Sequence, residues 1–324
     1  MIKLGKVSIT DIFMGNTKIK EVYLGTNKIF SSRQPVSGGP QIVMDINTRD
    51  SIRYPRALTW VNSLSTGTEP VLVNTDTVKR YLEDGTVLWE YVNKFDSSSS
   101  FQCAVNEYGS SIYLGSTRLG IQKININGAL AEQYPAGAKS DTLMVLDEIY
   151  IGAGTSDGYI NKINKFDGEI YATKKISATN ITRMASDSRK HFISGDNYGG
   201  IRKYTSNMVP VWEVYTPDNS RVNGLAIDSS DNTYVIGDKI FVLDSFGQFI
   251  YTFSDTLYEP LALALDSKGN VYYSNGLSLT RLSNWEKIWD IDIPIYNIIN
   301  ILIDNEDNLY IAGDDKILKF DLGV

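Results

Sequence analysis

The sequence predicts an all-β fold, a closed ring of four-stranded repeats, and three observations predict it. A phrase of about forty residues recurs: an apolar strand ending in Asp or Asn, a polar turn, a strand ending near Gly, then two more strands. One copy runs Ala226-Ile227-Asp228, then Asn232-Thr233-Tyr234-Val235-Ile236-Gly237, then Ile240-Phe241-Val242-Leu243-Asp244, then Gly247-Gln248-Phe249-Ile250-Tyr251. The residue ending the first strand falls at Asn62, Asn106, Asp147, Asp187, Asp228, Asp266 and Asp304, a spacing of 44 residues and then 41, 40, 41, 38 and 38. The third observation is a deficit and its remedy. The last repeat stops after its third strand, Ile317-Leu318-Lys319-Phe320-Asp321. Upstream, Gln41-Ile42-Val43-Met44-Asp45-Ile46 reads like Lys287-Ile288-Trp289-Asp290-Ile291-Asp292, the fourth strand of the preceding repeat. Four short strands at this spacing are the signature of propeller blades. A strand from upstream completing the last blade removes two open sheet edges at once. The reading is a seven-bladed β-propeller of four-stranded blades over residues 41–324, preceded by a small β-hairpin module.

Residues 1–30 do not fit the blade phrase and carry a duplication of their own. Ile9-Thr10-Asp11-Ile12-Phe13-Met14-Gly15-Asn16-Thr17-Lys18-Ile19 is followed by Ile19-Lys20-Glu21-Val22-Tyr23-Leu24-Gly25-Thr26-Asn27-Lys28-Ile29-Phe30. Each unit is strand, Gly-containing turn, strand, the chemistry of tight hairpins. So short a segment buries too little apolar surface to stand alone, which predicts a partner surface or self-association. Phe13, Gly15, Tyr23, Gly25 and Phe30 are the candidate docking residues of this module. Residues 31–40, Ser-Ser-Arg-Gln-Pro-Val-Ser-Gly-Gly-Pro, read as a linker by composition.

Along the ring, each repeat alternates with period two, and Asp, Asn, Ser and Gly gather at its turns, as in Asp228-Ser229-Ser230-Asp231 and Asp266-Ser267-Lys268-Gly269. The third strand carries a base beside an apolar residue at Arg80-Tyr81, Lys123-Ile124, Lys203-Tyr204, Arg281-Leu282 and Lys319-Phe320. Simple alternation turns the apolar partner toward the next blade and the base outward or sideways. Trp89, Trp212 and Trp289 lie late in their repeats, on outer strands, where large rings seal gaps between blades.

Composition narrows the function. A net charge of −7, with Lys and Arg scattered singly, argues against a nucleic-acid partner, which calls for a basic stripe. Cys103 is the only cysteine, so neither an internal disulfide nor a cysteine metal cluster is expected; in Phe101-Gln102-Cys103-Ala104-Val105 it reads as a small buried hydrophobe. The first residues lack the apolar core of a signal peptide, and no apolar run is long enough to span a membrane. The abundance of Ile, Asn, Lys and Tyr matches AT-rich coding sequence and points to a low-GC bacterial host.

Gly224-Leu225-Ala226-Ile227-Asp228 through Tyr251 resembles an NHL or SMP-30-type propeller repeat, and Asp84-Gly85-Thr86-Val87-Leu88-Trp89 is similar to the blade end of quinoprotein-like repeats. The resemblance implies architecture, since propellers host hydrolases, lyases, dehydrogenases and pure scaffolds. The duplicated N-terminal pattern resembles short segments of tail, baseplate and fibre proteins of phages and prophages. That resemblance implies a non-enzymatic virion component, made in the bacterial cytoplasm without a signal peptide. Residues 1–30 would dock it to other virion proteins in several copies, and the propeller would meet a host-surface glycan or protein. The alternatives are an SMP-30-like or quinoprotein-like enzyme and a cellular NHL-type scaffold.

The search for chemistry supplies no catalytic residue, and no cofactor or metal is expected. His191 is the only histidine, which leaves no multi-histidine metal site; it reads as a packed or surface residue. Asp228-Ser229-Ser230-Asp231-Asn232 has oxygen donors but not the spacing of a calcium loop, and turn chemistry explains it in every repeat. The residues just before each inner strand line one channel mouth: Arg56, Gln102, Arg183, Arg221, Asn223, Glu259 and Asn300. One carboxylate among three arginines suits an anionic or sugar-like ligand better than a divalent cation. The competing reading is that these side chains cap a water-filled channel and bind nothing.

Overall fold

Val, Ile, Tyr and Phe in short alternating runs favour strands, and the Asp, Asn and Gly clusters between them end each run after three to eight residues. The computed structural model describes residues 40–322 except 49–54, 63–67, 83, 94–99, 108–109, 117, 135–139, 254–256, 258–259, 296–297 and 305. Ahead of these it describes the backbone of 2–4, 7–9, 12–14, 17–19, 21–24 and 27–31. Among the described residues there is no helix, and so none long and apolar enough to cross a membrane. Two compact units form: residues 1–41 with 322–324, and residues 42–321.

The first unit holds three hairpins where the sequence reading has two. Ile2–Leu4 pairs with Val7–Ile9, Ile12–Met14 with Thr17–Ile19, and Glu21–Leu24 with Asn27–Ser31, all antiparallel. In each, the residues flanking the turn are partners, Leu4 with Val7, Met14 with Thr17 and Leu24 with Asn27. The repeat is thus a triplication whose first copy, Ile2 to Ile9, lacks the aromatic residue that makes the other two recognisable.

The second unit is the propeller. Six blades are continuous in sequence, each with strands in the order inner to outer: 55–92, 101–134, 140–175, 181–215, 224–253 and 263–292, numbered here as blades 1 to 6. Blade 7 orders its strands Ile298–Ile303, Leu309–Gly313, Lys316–Asp321 and Gln41–Asn47. The closing strand is held by the Lys316–Asp45 ion pair at 2.9 Å and by the Thr48 amide donating to the Asp315 carbonyl at 2.8 Å. Each innermost strand lies against the innermost strand of the next blade, and that of blade 7 lies against that of blade 1, so the ring is complete.

Buried apolar side chains gather between blades. Val71, Val73 and Val78 of blade 1 pack with Phe101, Ile112 and Leu114 of blade 2. At the closure, Met44 and Ile46 join Tyr310 and Ile317 against Leu58, Leu72 and Tyr81 of blade 1.

Of the outward and sideways placements that alternation allows, the third-strand bases Arg80, Lys162 and Lys203 take the sideways one. They are buried, because the neighbouring blade covers the face that alternation assigns to solvent. Each reaches a carbonyl in the next blade's last turn: Arg80 to Ile126 at 2.9 Å, Lys162 to Ser206 at 3.0 Å, Lys203 to Ser245 at 3.4 Å. Arg80 is neutralised by Glu69 at 2.6 Å and Lys203 by Asp187 at 2.8 Å. Where the partner on the second strand is tyrosine, the base lies over its ring, as Lys123 (also paired with Glu107 at 3.2 Å) does over Tyr113, Arg281 over Tyr272 and Lys319 over Tyr310.

Outer-strand tryptophans seal the same gaps. The indole N–H of Trp89 donates to the Ile126 carbonyl at 2.9 Å, and that of Trp212 to the Ser245 carbonyl at 3.1 Å. Each ring lies under a turn glycine of the next blade, Gly128 or Gly247, both with positive φ. At the closure Ile46 takes this place beneath Gly85 of blade 1.

Candidate functional site

The innermost strands all run the same way along the channel, so their starts surround one end and their Asp-containing turns the other. The cavities at the two ends differ in the charged side chains that line them. At the starting end, five of the strands carry the same irregularity. Pairing shifts between Pro55 and Ala57, Phe101 and Cys103, Ser140 and Thr142, Ile181 and Arg183, and Ile298 and Asn300. A bulge inserts one unpaired residue and re-aims the side chains around it. Here it turns Arg56, Gln102, Asp141, Arg183 and Asn300 to a cavity of about 280 Å³ at the channel mouth.

Of the seven residues the sequence places there, the structure brings four together: Arg56, Gln102, Arg183 and Asn300. Arg221 and Asn223 do not line the cavity; the Asn223 amide donates to the Ile236 carbonyl at 2.8 Å. Glu259 lies outside the described residues. Asp141 was missed by the sequence reading. It is the second residue of the inner strand of blade 3, as Gln102 is of that of blade 2, so aligning the repeats position by position would have found it.

Charge at this end is poorly compensated. Arg183 donates to the Thr182 carbonyl at 2.7 Å and to the Leu261 carbonyl at 3.4 Å, reaching from blade 4 toward blade 6. Burial and the nearby positive charge of Arg221 bring its pKa down to about 10. Among the described residues no carboxylate is in ion-pair contact with Arg56, Arg183 or Arg221. The inter-blade bases, by contrast, have acids at hand: Glu69 for Arg80, Glu107 for Lys165, Asp196 for Arg202. Asp141 is raised above the ordinary carboxylate range by burial, although Arg221 and a 3.2 Å hydrogen bond from Asn180 act the other way. Cys103 borders the same cavity, but its thiol is buried, lies 3.5 Å from the Ser140 carbonyl, and is pushed up by burial. A thiol held neutral is no nucleophile.

The opposite end carries Asp228, Asp266, Asp304 and Asp307 around a second cavity of about 380 Å³. These carboxylates are spent on the turns. Asp228 Oδ1 accepts the amides of Ser230 and Asn232, and Oδ2 accepts Asn232 Nδ2 and the Tyr234 hydroxyl. Asp266 repeats the pattern with Lys268, Asn270 and Tyr272, and Asp304 with Glu306 and Asn308. Among the described residues no group of three or more potential ligands could hold a metal ion. Asp231 and Asp307, both at positive φ, are inter-blade clamps: each accepts the amide and hydroxyl of a serine in the preceding blade, Ser188 or Ser267, the amides at 2.8 Å. His191, set against Asp187 at 3.1 Å, is a packed residue of blade 4.

Phe13, Tyr23 and Phe30 lie on hairpin strands, with only their backbone described, and Gly15 and Gly25 lie outside the described residues.

Fold and channel together define a seven-bladed β-propeller with arginines at one mouth of the channel and aspartates at the other. Two of the solved structures similar to it are these. One is the WD40 β-propeller domain of Doa1, with a TM-score of 0.72 and 14% identity, covering 88% of this chain and 97% of that one. The other is a chain of the Mitotic Checkpoint Complex, with a TM-score of 0.74 and 16% identity, covering 86% of this chain and 93% of that one. At these identities the likeness shows the fold. Neither the Gly-His nor the Trp-Asp dipeptide of WD40 repeats recurs in this sequence. No protein-family model matches the sequence, and no curated protein matches it.

Proposed function

We propose that the propeller is a non-enzymatic platform for binding another protein, and that it uses the end of the channel where the inner strands start. One observation carries this reading. The bulged strands present arginine, glutamine and asparagine side chains at a single mouth, and the loops of the same end expose Tyr198 and Leu277. Mixed cationic and apolar surface of this kind suits a protein partner. The similarity to WD40 propellers supports it as a matter of architecture. An SMP-30-like hydrolase needs several acidic ligands at the mouth. Among the described residues Asp141 is the one carboxylate lining it. The narrower role, a virion component docked through residues 1–30, draws its support from the resemblance of the hairpin segment and from its forming a separate unit.

The test is capture of a partner from the producing host, followed by reconstitution. A purified partner should form a stoichiometric complex with the wild-type chain on size exclusion and fail to do so with Arg56→Glu/Tyr198→Ala. A complex indifferent to those changes, or steady turnover of a lactone or sugar by the wild-type chain, would overturn the proposal.

A further inference from the structure

We infer that the arginine end of the channel seats a carboxylate from an acidic segment of the partner, an Asp or Glu side chain received between Arg183 and Arg56. The inference rests on the interaction role proposed above and names the chemistry of its partner.

Three features of the mouth converge on it. The first is unspent donor capacity. A guanidinium offers five N–H donors in a fork that matches a carboxylate. Arg183 uses its own on two backbone carbonyls, one of them at 3.4 Å, and no described residue engages Arg56. The second is charge. The chain as a whole carries −7, and every buried base in the blades cited above has an acid or a ring against it. Among the described residues neither Arg56 nor Arg183 has one in contact, Asp141 of the same cavity accepting instead from Asn180, and the nearby charge of Arg221 disfavours that of Arg183. An incoming carboxylate relieves that repulsion, whereas a cation or a neutral group does not. The third is size. At about 280 Å³ the cavity is at the small end of ligand pockets, which run from roughly 300 to 1,000 Å³. A single side chain fits that volume. Tyr198 and Leu277, 67% and 56% exposed on turns of the same end, give the flanking residues of such a segment apolar contact.

The same carboxylate chemistry could be supplied by a free small acid, and the probes separate the two sources. Calorimetric titrations at low ionic strength would use the capped peptide acetyl-Gly-Leu-Glu-Leu-Gly-amide, its Gln counterpart, and glutarate. The Glu peptide is expected to bind at least tenfold more tightly than the Gln peptide and than glutarate, and to weaken as salt is added. Arg183→Gln should bring the Glu peptide down to the level of the Gln peptide. Because Arg183 also ties backbone at the mouth, Arg56→Gln provides a second variant at an exposed position and should weaken the Glu peptide severalfold with unchanged thermal stability. Equal binding of the Glu and Gln peptides, no binding of either, or a preference that survives both substitutions would overturn the carboxylate site. Glutarate binding as tightly as the Glu peptide would overturn the partner segment as its source. If the partner complex forms and depends on Tyr198 while the Glu peptide does not bind, the interaction role stands and this inference alone falls.

Discussion

Replacing Gly247 by alanine isolates what the joints between blades contribute. Gly247 has φ of +83° and lies in the last turn of blade 5, over the Trp212 ring of blade 4. A Cβ there would stand 2.8 Å from Cδ2 and Cγ of that ring. Trp212 cannot slide aside freely, since its indole N–H is bonded to the Ser245 carbonyl of the same turn. Two costs follow. A left-handed conformation costs a non-glycine residue roughly 1–2 kcal/mol, and forcing an extra methyl into a packed contact costs about 1–3 kcal/mol. Gly269 is the control: its φ is +78°, and nothing lies within 4 Å of a Cβ built on it. Gly269→Ala therefore carries only the first cost. Urea unfolding followed by far-UV circular dichroism, at equal slope, should place Gly247→Ala at least about 1 kcal/mol below Gly269→Ala. Any effect of alanine on the unfolded chain is common to both and cancels. Equal midpoints would mean that the tryptophan–glycine contact does not hold neighbouring blades together, and the inter-blade account would fail.

Three further outcomes are expected. Ser188 and Ser267 each find an aspartate across the blade boundary, but Ser229 faces the position of Gly269, so Gly269→Asp should restore the clamp and end about 1–2 kcal/mol above Gly269→Ala in the same urea assay. Arg80→Met takes from the buried Glu69 carboxylate its 2.6 Å ion-pair partner and should cost about 3–5 kcal/mol, part of it recovered in Arg80→Met/Glu69→Leu. The third concerns pH. Burial raises the Glu107 carboxyl, but hydrogen bonds from Lys165 and Ser111 and the charges of Lys165 and Lys123 outweigh it and hold the group at about 2. A carboxyl lower in the folded than in the unfolded chain stabilises above its unfolded pKa, and that stabilisation is lost as pH falls toward 2. Asp187 and Asp196 act in the same direction. Glu107→Gln should lower stability at neutral pH by on the order of 1 kcal/mol and flatten its fall between about pH 5 and pH 2, read as urea midpoints across that range.

Much of this architecture was legible because a propeller repeats its local chemistry. The marker aspartates end the inner strands because one carboxylate satisfies two turn amides, a pattern visible as Asp with Asn four residues on at Asp228, Asp266 and Asp304. The closing strand was legible because residues 41–46 share the pattern of an outer strand. What stayed hidden depends on neighbours in space. Arg80 and Lys203 look solvent-facing in a single blade, and only the next blade buries them. Asp141 occupies the bulge position that Arg56 and Gln102 hold in blades 1 and 2, and it is legible only when the repeats are aligned position by position. The first hairpin escaped because Ile2 to Ile9 has neither the aromatic residue nor the Asn of its successors.

Hydrogen exchange of the intact chain tests the closed ring most directly. If residues 41–47 complete blade 7, their amides should exchange as slowly as those of the outer strands Val87–Val92 and Pro210–Tyr215, and Lys316–Asp321 should be protected with them. Exchange of residues 41–47 at the rate of a free peptide, with the other blades still protected, would contradict the ring and the two channel ends that depend on it.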